Sequence, residues 1–174
     1  MLVVALAALG CAATDPATGG FRQVQSTDGT PGHLARGAGG SPFDTSRPTI
    51  RRLDPGLLAA VQDAARDAQD DGVTLVVNSG WRSRAHQQRL YDEAVAEYGS
   101  EEEARRYVST PDTSRHVTGD AVDLGPAEGD EWLGEHGADY GLCQVFANEI
   151  WHYELATTPG GQCPEMLPDS SSRK

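Results

Sequence analysis

The sequence predicts one small α+β domain built around a short antiparallel sheet. The chain has 174 residues, which is about the size of a single domain. Helical patterns dominate the first half of the candidate domain, and short apolar runs separated by turns follow in the second half. The regular alternation of strands and helices that marks a doubly wound fold is missing, which favours the α+β class.

The first elements are bounded by capping and turn residues. Asp54-Pro55 supplies an N-cap and a proline at the first helical position, and the turn at residues 70–72 ends this helix. Residues 73–77 form a β-branched run typical of a buried strand. A second helix is predicted over 83–98, and a capping box opens a third over 101–108.

The later elements are shorter. A polar loop over residues 109–115 precedes a strand predicted at 121–124. Asp130 is expected to cap the next helix. Two final strands are predicted over 144–146 and 150–155, joined by a tight turn.

Charge and hydropathy exclude two broad classes of partner. The chain carries 14 Lys and Arg against 26 Asp and Glu, a formal net charge of −12 with a pI near 4.7. This balance argues against nucleic acid and against electrostatic binding to an anionic membrane surface. No apolar run reaches the ~20 residues of a membrane span. No heptad run or long apolar stripe predicts a dimer, so a monomer is expected.

The two ends of the chain have compositions typical of segments outside a domain. Residues 1–13 begin with an apolar run, and the small residue before Cys11 resembles a bacterial lipobox, which implies export and lipid attachment at Cys11. The alternative is a start whose cysteine is incidental. Residues 14–49 are rich in Gly and Pro and are interpreted as a flexible linker. Residues 167–174 are interpreted as a polar tail, which leaves 50–166 as the folded domain.

The other two cysteines, Cys143 and Cys163, form an even pair. An oxidising compartment would join them in a disulfide, with a stabilisation of about 3 kcal/mol for a loop of this length. Two buried free thiols are the alternative.

Two histidines lie in segments that point to a metal. His116 is followed seven positions later by Asp123, and Gly119 between them lets the backbone turn sharply. His152 follows Glu149, which lies at the turn before the last strand. Two neutral imidazoles and one carboxylate make three ligands for a zinc ion and leave a fourth position for water. That is the pattern of a catalytic zinc site rather than a structural one.

A site of this kind also needs a base for the proton of the attacking water, and Glu149 is the candidate. The spacing has a plainer explanation as well. A histidine in a globular domain is often structural, and Asp123 alone is equally explained as a turn or cap residue. The residue pattern by itself leaves both interpretations open.

Three motifs together resemble the zinc D-alanyl-D-alanine carboxypeptidases and dipeptidases of the VanY-type peptidase family (M15). The motifs are Ser79-Gly80-Trp81-Arg82-Ser83-x-x-x-Gln87, Ser114-x-His116-x-x-Gly119-x-Ala121-x-Asp123 and Glu149-x-Trp151-His152. They span roughly residues 73–156, nearly all of the predicted domain. Trp81 stands where the family commonly has Tyr, so any contact of a phenol hydroxyl is lost.

The resemblance implies a role for each motif residue. The zinc ligands are expected to be His116, Asp123 and His152. Glu149 is expected to be the general base, and Arg82 to lie near the scissile carbonyl, where a guanidinium stabilises the oxyanion. The substrate's C-terminal end is expected to contact Ser83, Gln87 and Ser114.

The implied fold is the hedgehog/DD-peptidase-like α+β fold. The implied activity is removal of the C-terminal D-Ala from peptidoglycan stem peptides by metal-activated water, with Zn2+ as cofactor. These substrates lie outside the cytoplasmic membrane, which agrees with an exported cell-envelope protein that meets the membrane only through a lipid at Cys11. A D,D-dipeptidase or a peptidoglycan endopeptidase shares the same motifs. A non-catalytic, zinc-containing cell-wall-binding module is the alternative from another class, although such a module has no need of Glu149.

Overall fold

Four short strands form one antiparallel sheet at the centre of the computed structural model, which describes residues 39–173. The strands are β1 (Val76–Ser79), β2 (Val122–Gly125), β3 (Leu142–Gln144) and β4 (His152–Leu155). Their order across the sheet is β1-β2-β4-β3, and every neighbouring pair is antiparallel. The predicted α+β class with a small antiparallel sheet is confirmed.

The helices pack around this sheet. Along the chain they precede the first strand or lie between one strand and the next. They are α1 (Pro48–Arg51), α2 (Pro55–Asp70), α3 (Arg84–Tyr98), α4 (Glu101–Ala104), α5 (Arg115–Thr118) and α6 (Ala127–His136). Short 3-10 helices cover Gly137–Tyr140 and Ser170–Ser172. Asp54 caps α2 and Ser100 caps α4 as predicted, because each side chain accepts hydrogen bonds from backbone N–H groups in the first turn. Among residues 39–173, no helix combines the length and the apolar character needed to cross a membrane.

The main core lies between α2 and one face of the sheet. The buried side chains of α2 are Leu57, Val61, Ala64, Ala65 and Ala68. They share one cluster with Val77 of β1, with Val122 and Leu124 of β2, and with Tyr153 of β4. Because side chains alternate along a strand, the residues between these core positions point to the other face of the sheet.

Several element boundaries differ from the prediction. Strand β3 covers Leu142–Gln144 rather than 144–146, β4 begins at His152 rather than at 150, and α4 ends at Ala104 rather than at 108. Strand β1 starts at Val76 rather than Val73, because the Val73 N–H donates to the Ala68 carbonyl and still belongs to the end of α2. Helix α6 starts at Ala127, so the expectation that Asp130 caps it is wrong. The Asp130 N–H instead donates to the Pro126 carbonyl at 3.0 Å, inside the first turn.

The folded unit begins before Ile50. Gly40 and Val77 exchange two backbone hydrogen bonds of 3.0 and 2.8 Å. The Pro42 carbonyl accepts a hydrogen bond of 3.0 Å from the Gln62 side chain on α2. The last part of the predicted linker is therefore packed against the domain. Residues 1–38, which include Cys11, the segment 1–13 and most of the predicted linker, lie outside the described residues.

The predicted polar tail also packs on the domain. The Leu167 N–H donates to the Val145 carbonyl, and the Leu167 carbonyl accepts from the Ala147 N–H, each at 2.8 Å. Ser170 is buried, and its hydroxyl donates to the Arg105 carbonyl at 2.6 Å. The segment therefore lies along the edge of the domain as far as Arg173.

Cys143 and Cys163 form the predicted disulfide. It joins the buried β3 residue Cys143 to the segment that follows β4. The loop that it closes contains all of β4, which carries His152.

Candidate active site

The register of the sheet places three polar residues side by side. Asp123 on β2 pairs with His152 on β4, and Ser79 on β1 pairs with Asp123 from the other side. Directly opposed residues in antiparallel strands have Cβ atoms about 4.5–5.5 Å apart. The strands therefore bring a carboxylate and an imidazole together without help from any loop.

Two glycines allow α5 to bring His116 to the same place. Gly119 ends α5 with a positive φ of 87°, and a Cβ there would lie 2.4 Å from the Arg52 carbonyl oxygen. Gly80 follows β1 so closely against α1 that a Cβ would lie 2.2 Å from the Thr49 carbonyl oxygen. Only glycine fits at either position. As a result the Gly80 carbonyl reaches His116 Nδ1 at 2.8 Å.

The three predicted ligands converge in the interior. The candidate ligand atoms of His116, Asp123 and His152 all lie within 4.8 Å of one another. His116 Nε2 and His152 Nδ1 each lie 3.2 Å from the same oxygen, Asp123 Oδ1. All three residues are buried, with exposed fractions of 3%, 8% and 4% respectively. The sequence motifs thus correspond to one compact cluster.

The outer partners of the two rings decide which nitrogen faces the cluster. The Gly80 carbonyl only accepts hydrogen bonds, so His116 Nδ1 carries a proton and a neutral ring keeps its lone pair on Nε2. His152 Nε2 donates to the Glu154 carboxylate at 2.9 Å, which leaves Nδ1 on the inner side. One nitrogen from each ring therefore lies beside the Asp123 carboxylate, and imidazole nitrogens and carboxylate oxygens are both ligands of zinc.

The two histidines have opposite electrostatic surroundings. Burial, together with the nearby Arg82 guanidinium, lowers the pKa of His116 to about 4, so this ring is neutral near pH 7. Burial opposes charge on His152 as well, but hydrogen bonds with Asp123 and Glu154 outweigh it and raise the pKa to about 9. Burial would also raise the pKa of Asp123, yet His116 and Arg82 hold it well below its ordinary value.

Glu149 lies at the turn before β4, next to the cluster. Its Oε2 is 3.8 Å from His152 Nδ1, and its side chain is 14% exposed. Burial raises the pKa of Glu149 to about 7. A carboxylate with this pKa exchanges protons easily near neutral pH, which suits a general base that must also return the proton.

Arg82 extends from the end of β1 into the same cluster. Its Nη2 donates to Asp123 Oδ2 at 2.6 Å, its Nε to Ser79 Oγ at 2.8 Å and its Nη1 to Gln87 Oε1 at 3.2 Å. These bonds use three of the five N–H groups of a guanidinium. Arg82 therefore holds the carboxylate of Asp123 in place and keeps further donors for a ligand.

The residues expected to contact substrate have other partners here. The Ser83 hydroxyl accepts from the His86 N–H at 3.2 Å and caps α3. Gln87 is fully buried, and its amide joins Arg82 to the Ser109 carbonyl, which it reaches at 2.8 Å. Ser114 is buried immediately before α5. The substrate contacts of these three residues stay predictions.

Sequence reasoning missed two residues of the cluster's outer side, Glu154 and Arg173. Arg173 Nη2 lies 2.8 Å from the Glu154 Oε1 that His152 also contacts. The pattern His152-x-Glu154 is a detectable signal for Glu154, because residues i and i+2 of a strand share a face. Arg173 has no such signal, since its position depends on how the C-terminal segment packs.

Comparison with known families agrees with this arrangement. Residues 50–158 match the family model VanY, described as D-alanyl-D-alanine carboxypeptidase. The match covers more than half of the 174 residues. The chain belongs to the VanY family. All of the clustered residues except Arg173 fall within the matched span.

One relative of this chain is a D-alanyl-D-alanine carboxypeptidase of Enterococcus faecalis. The two are 33% identical over 127 residues, which are 59% of this chain and 47% of the relative. The chain thus spans about half the length of that relative.

Two solved structures confirm the fold. A variant of the D,D-pentapeptidase VanY from a VanB-type resistance cassette, in complex with Zn(II), is 31% identical with a TM-score of 0.55. That comparison covers 59% of this chain and 71% of the neighbour. VanYB in complex with D-alanine-D-alanine is 26% identical with a TM-score of 0.56, over 75% of this chain and 80% of the neighbour.

Proposed function

We propose that this chain is a zinc-dependent D-alanyl-D-alanine carboxypeptidase that acts on peptidoglycan stem peptides. The observation that carries the proposal is the convergence of His116 Nε2 and His152 Nδ1 on Asp123, with Glu149 3.8 Å from the same His152 nitrogen. The solved VanY-type neighbours support the metal and the substrate class, since one contains Zn(II) and another D-alanine-D-alanine.

The donor set fits zinc. Two imidazole nitrogens and a carboxylate are a common set of three protein ligands for a catalytic zinc ion, with a further position open. The outer partners Gly80 and Glu154 already orient both rings for this use. When bound there, zinc supplies a Lewis acid and lowers the pKa of a coordinated water to about 7.

Glu149 and Arg82 supply the rest of the chemistry. Glu149 accepts a proton from the attacking water and delivers it to the leaving amine of the terminal D-Ala, which its pKa of about 7 allows in both directions. Arg82 directs its remaining N–H groups at the oxygen of the scissile carbonyl, where negative charge develops. A binding module needs neither function, so both residues favour an enzyme.

An extracytoplasmic location follows from the proposed substrate, because peptidoglycan lies outside the cytoplasmic membrane. The Cys143–Cys163 disulfide supports an oxidising compartment. Lipid attachment at Cys11 and a monomeric state are further predictions of the sequence alone.

The test is mass spectrometry of a muramyl pentapeptide ending in D-Ala-D-Ala after incubation with zinc-loaded protein. The wild type is expected to remove one D-Ala. Glu149→Gln, at the same zinc content, is expected to do so about 10²–10⁴-fold more slowly. Release of the intact dipeptide would assign a dipeptidase instead. No cleavage by protein that holds one zinc per chain would contradict the carboxypeptidase and favour an endopeptidase of cross-linked wall or a binding module.

A further inference from the structure

The C-terminal segment, residues 167–173, ends beside Glu154, which contacts the side of His152 that faces away from Asp123. We propose that Arg173, held by this segment, and Glu154 form an outer ion pair that positions His152 for metal binding. The proposal rests on the metal site of the proposed function and adds two positioning residues to it. Arg173 lies outside residues 50–158, the span that matches the family.

The segment is anchored along its whole length. At its start, Leu167 exchanges backbone hydrogen bonds with Val145 and Ala147. Further along, Asp169 pairs with Arg106 at 3.2 Å, and the Ser170 hydroxyl reaches the Arg105 carbonyl. Arg173 is three residues beyond that last anchor, so its position is set by the domain.

Arg173 is held on two sides. Its Nη2 lies 2.8 Å from Glu154 Oε1, and its guanidinium lies 5.1 Å from the centre of the Phe146 ring. The same Phe146 ring packs against His152, with centroids 5.1 Å apart. The Arg173 and Glu154 side chains are only 15% and 12% exposed. Screening by water is therefore weaker than for the pair of Arg106 and Asp169, in which the arginine side chain is 50% exposed.

A single carboxylate oxygen of Glu154 connects Arg173 to His152. Glu154 Oε1 contacts both His152 Nε2, at 2.9 Å, and Arg173 Nη2, at 2.8 Å. Hydrogen bonds of this kind fix the orientation of a metal-binding imidazole and the nitrogen that it presents. Arg173 therefore acts on the metal through Glu154 and then through the ring of His152.

Charge explains why His152 needs an arginine on its outer side. His116 is oriented by the backbone carbonyl of Gly80, which carries no net charge and cannot rotate away. Glu154 is a side chain with a charge, and it shares a small buried region with Asp123 and Glu149. Arg82 pairs with Asp123, and Arg173 supplies the corresponding cation for Glu154.

The test measures zinc affinity by competition with a chelator, in full-length protein, for Glu154→Gln, Arg173→Met and the double variant. Loss of an outer partner of a ligand histidine typically weakens metal binding about 10–100-fold, and each single variant is expected in that range. Because Arg173 acts through Glu154, the double variant is expected to lose no more zinc affinity than the more strongly affected of the two single variants. Arg173→Lys is expected to restore part of the affinity, and Arg66→Met, in an exposed pair on α2, to leave it unchanged.

Two results would overturn the proposal. One is unchanged zinc affinity in folded Arg173→Met, and the other is a double variant whose loss is the product of the two single losses. A pure positioning role also predicts that Arg173→Met lowers kcat of the zinc-loaded enzyme and leaves KM unchanged, so a raised KM with normal zinc affinity would contradict it. Zinc affinity is measured without substrate. A failure of the proposed peptidase activity is therefore distinguishable from a failure of this proposal.

Discussion

The two histidines of the cluster are the same side chain held in two different ways. His116 comes from the four-residue helix α5 and is oriented by a backbone carbonyl, and its pKa is lowered to about 4, with burial as the main cause. His152 comes from strand β4 and is oriented by a carboxylate; despite burial, the hydrogen bonds with Asp123 and Glu154 raise its pKa to about 9. Near pH 7 the His116 ring is neutral before a metal binds. The His152 ring carries an additional proton, which the metal must displace.

This difference shows that the ligand type alone does not fix the behaviour of a metal site. The partner behind each ring decides which nitrogen is presented and whether that nitrogen is already free. The His116 side depends on glycines and close backbone contacts. The His152 side depends on charged side chains and on the disulfide-closed loop. We therefore expect substitutions on the His116 side and on the His152 side to change different measured properties.

The largest effect is expected at Arg82, which lies on the His116 side because its backbone N–H donates to the His116 carbonyl at 3.0 Å. Arg82→Met removes the cation beside Asp123 and the donor proposed for the oxyanion, and kcat/KM is expected to fall about 10²–10³-fold. Arg82→Lys should recover little, because an ammonium cannot reproduce the three directed bonds of the guanidinium. Steady-state kinetics of zinc-loaded protein checks this.

Arg115→Met is the matched control for Arg82, because Arg115 lies on α5 in an exposed pair with Asp120. Its activity is expected to stay within about twofold of wild type, since an exposed pair contributes little. A loss smaller than about tenfold in Arg82→Met would show that Arg82 has no direct part in catalysis.

The next effect concerns the disulfide, which supports only the His152 side. The Cys143→Ser, Cys163→Ser double variant is expected to lower the free energy of unfolding by about 3 kcal/mol. Because Glu149 and His152 lie inside the closed loop, zinc affinity is also expected to fall. Urea unfolding and chelator competition, with oxidised wild type as the reference, measure the two quantities. Equal zinc retention in both proteins would show that the disulfide does not brace the site.

The smallest effect is the pH dependence of zinc binding. It follows from the different pKa values of the two histidine rings. His152 is protonated below a pKa of about 9 in the metal-free protein, so zinc must displace a proton. Because half of the His152 rings are already protonated at pH 9, the apparent zinc dissociation constant is expected to rise about fivefold from pH 9 to pH 8 and about 50-fold from pH 9 to pH 7. His116 adds nothing in this window, because its pKa is about 4. Isothermal titration at pH 7, 8 and 9 checks the slope, and a flat profile would contradict the assignment.

Local signals in the sequence predicted much of the fold and most of the cluster. Asp54 and Ser100 mark helix starts correctly because a cap acts within a few residues of chain. The placement of Asp123 opposite His152 follows from two short strands that the sequence identifies within one or two residues. The ligands themselves were recognisable because their spacing belongs to three motifs.

What the sequence did not predict depends on contacts between distant segments. Gly40 pairs with Val77, and Ser170 binds the Arg105 carbonyl across 65 positions of chain. The glycine-rich and polar compositions of these segments predict a linker and a tail. Composition does not show which backbone groups form hydrogen bonds, so it does not reveal that both segments pack on the domain. The contact of Arg173 with Glu154 has no sequence signal for this reason, and neither has the hydrogen bond between Gln87 and Arg82.

A crystal structure of the zinc-loaded protein, with anomalous data collected at the zinc edge, tests the proposed metal site directly. We expect one peak, bound by His116 Nε2, Asp123 and His152 Nδ1, with Glu154 still bonded to His152 Nε2. A zinc ion bound to His152 Nε2 and Glu154, or none at this cluster, would contradict it.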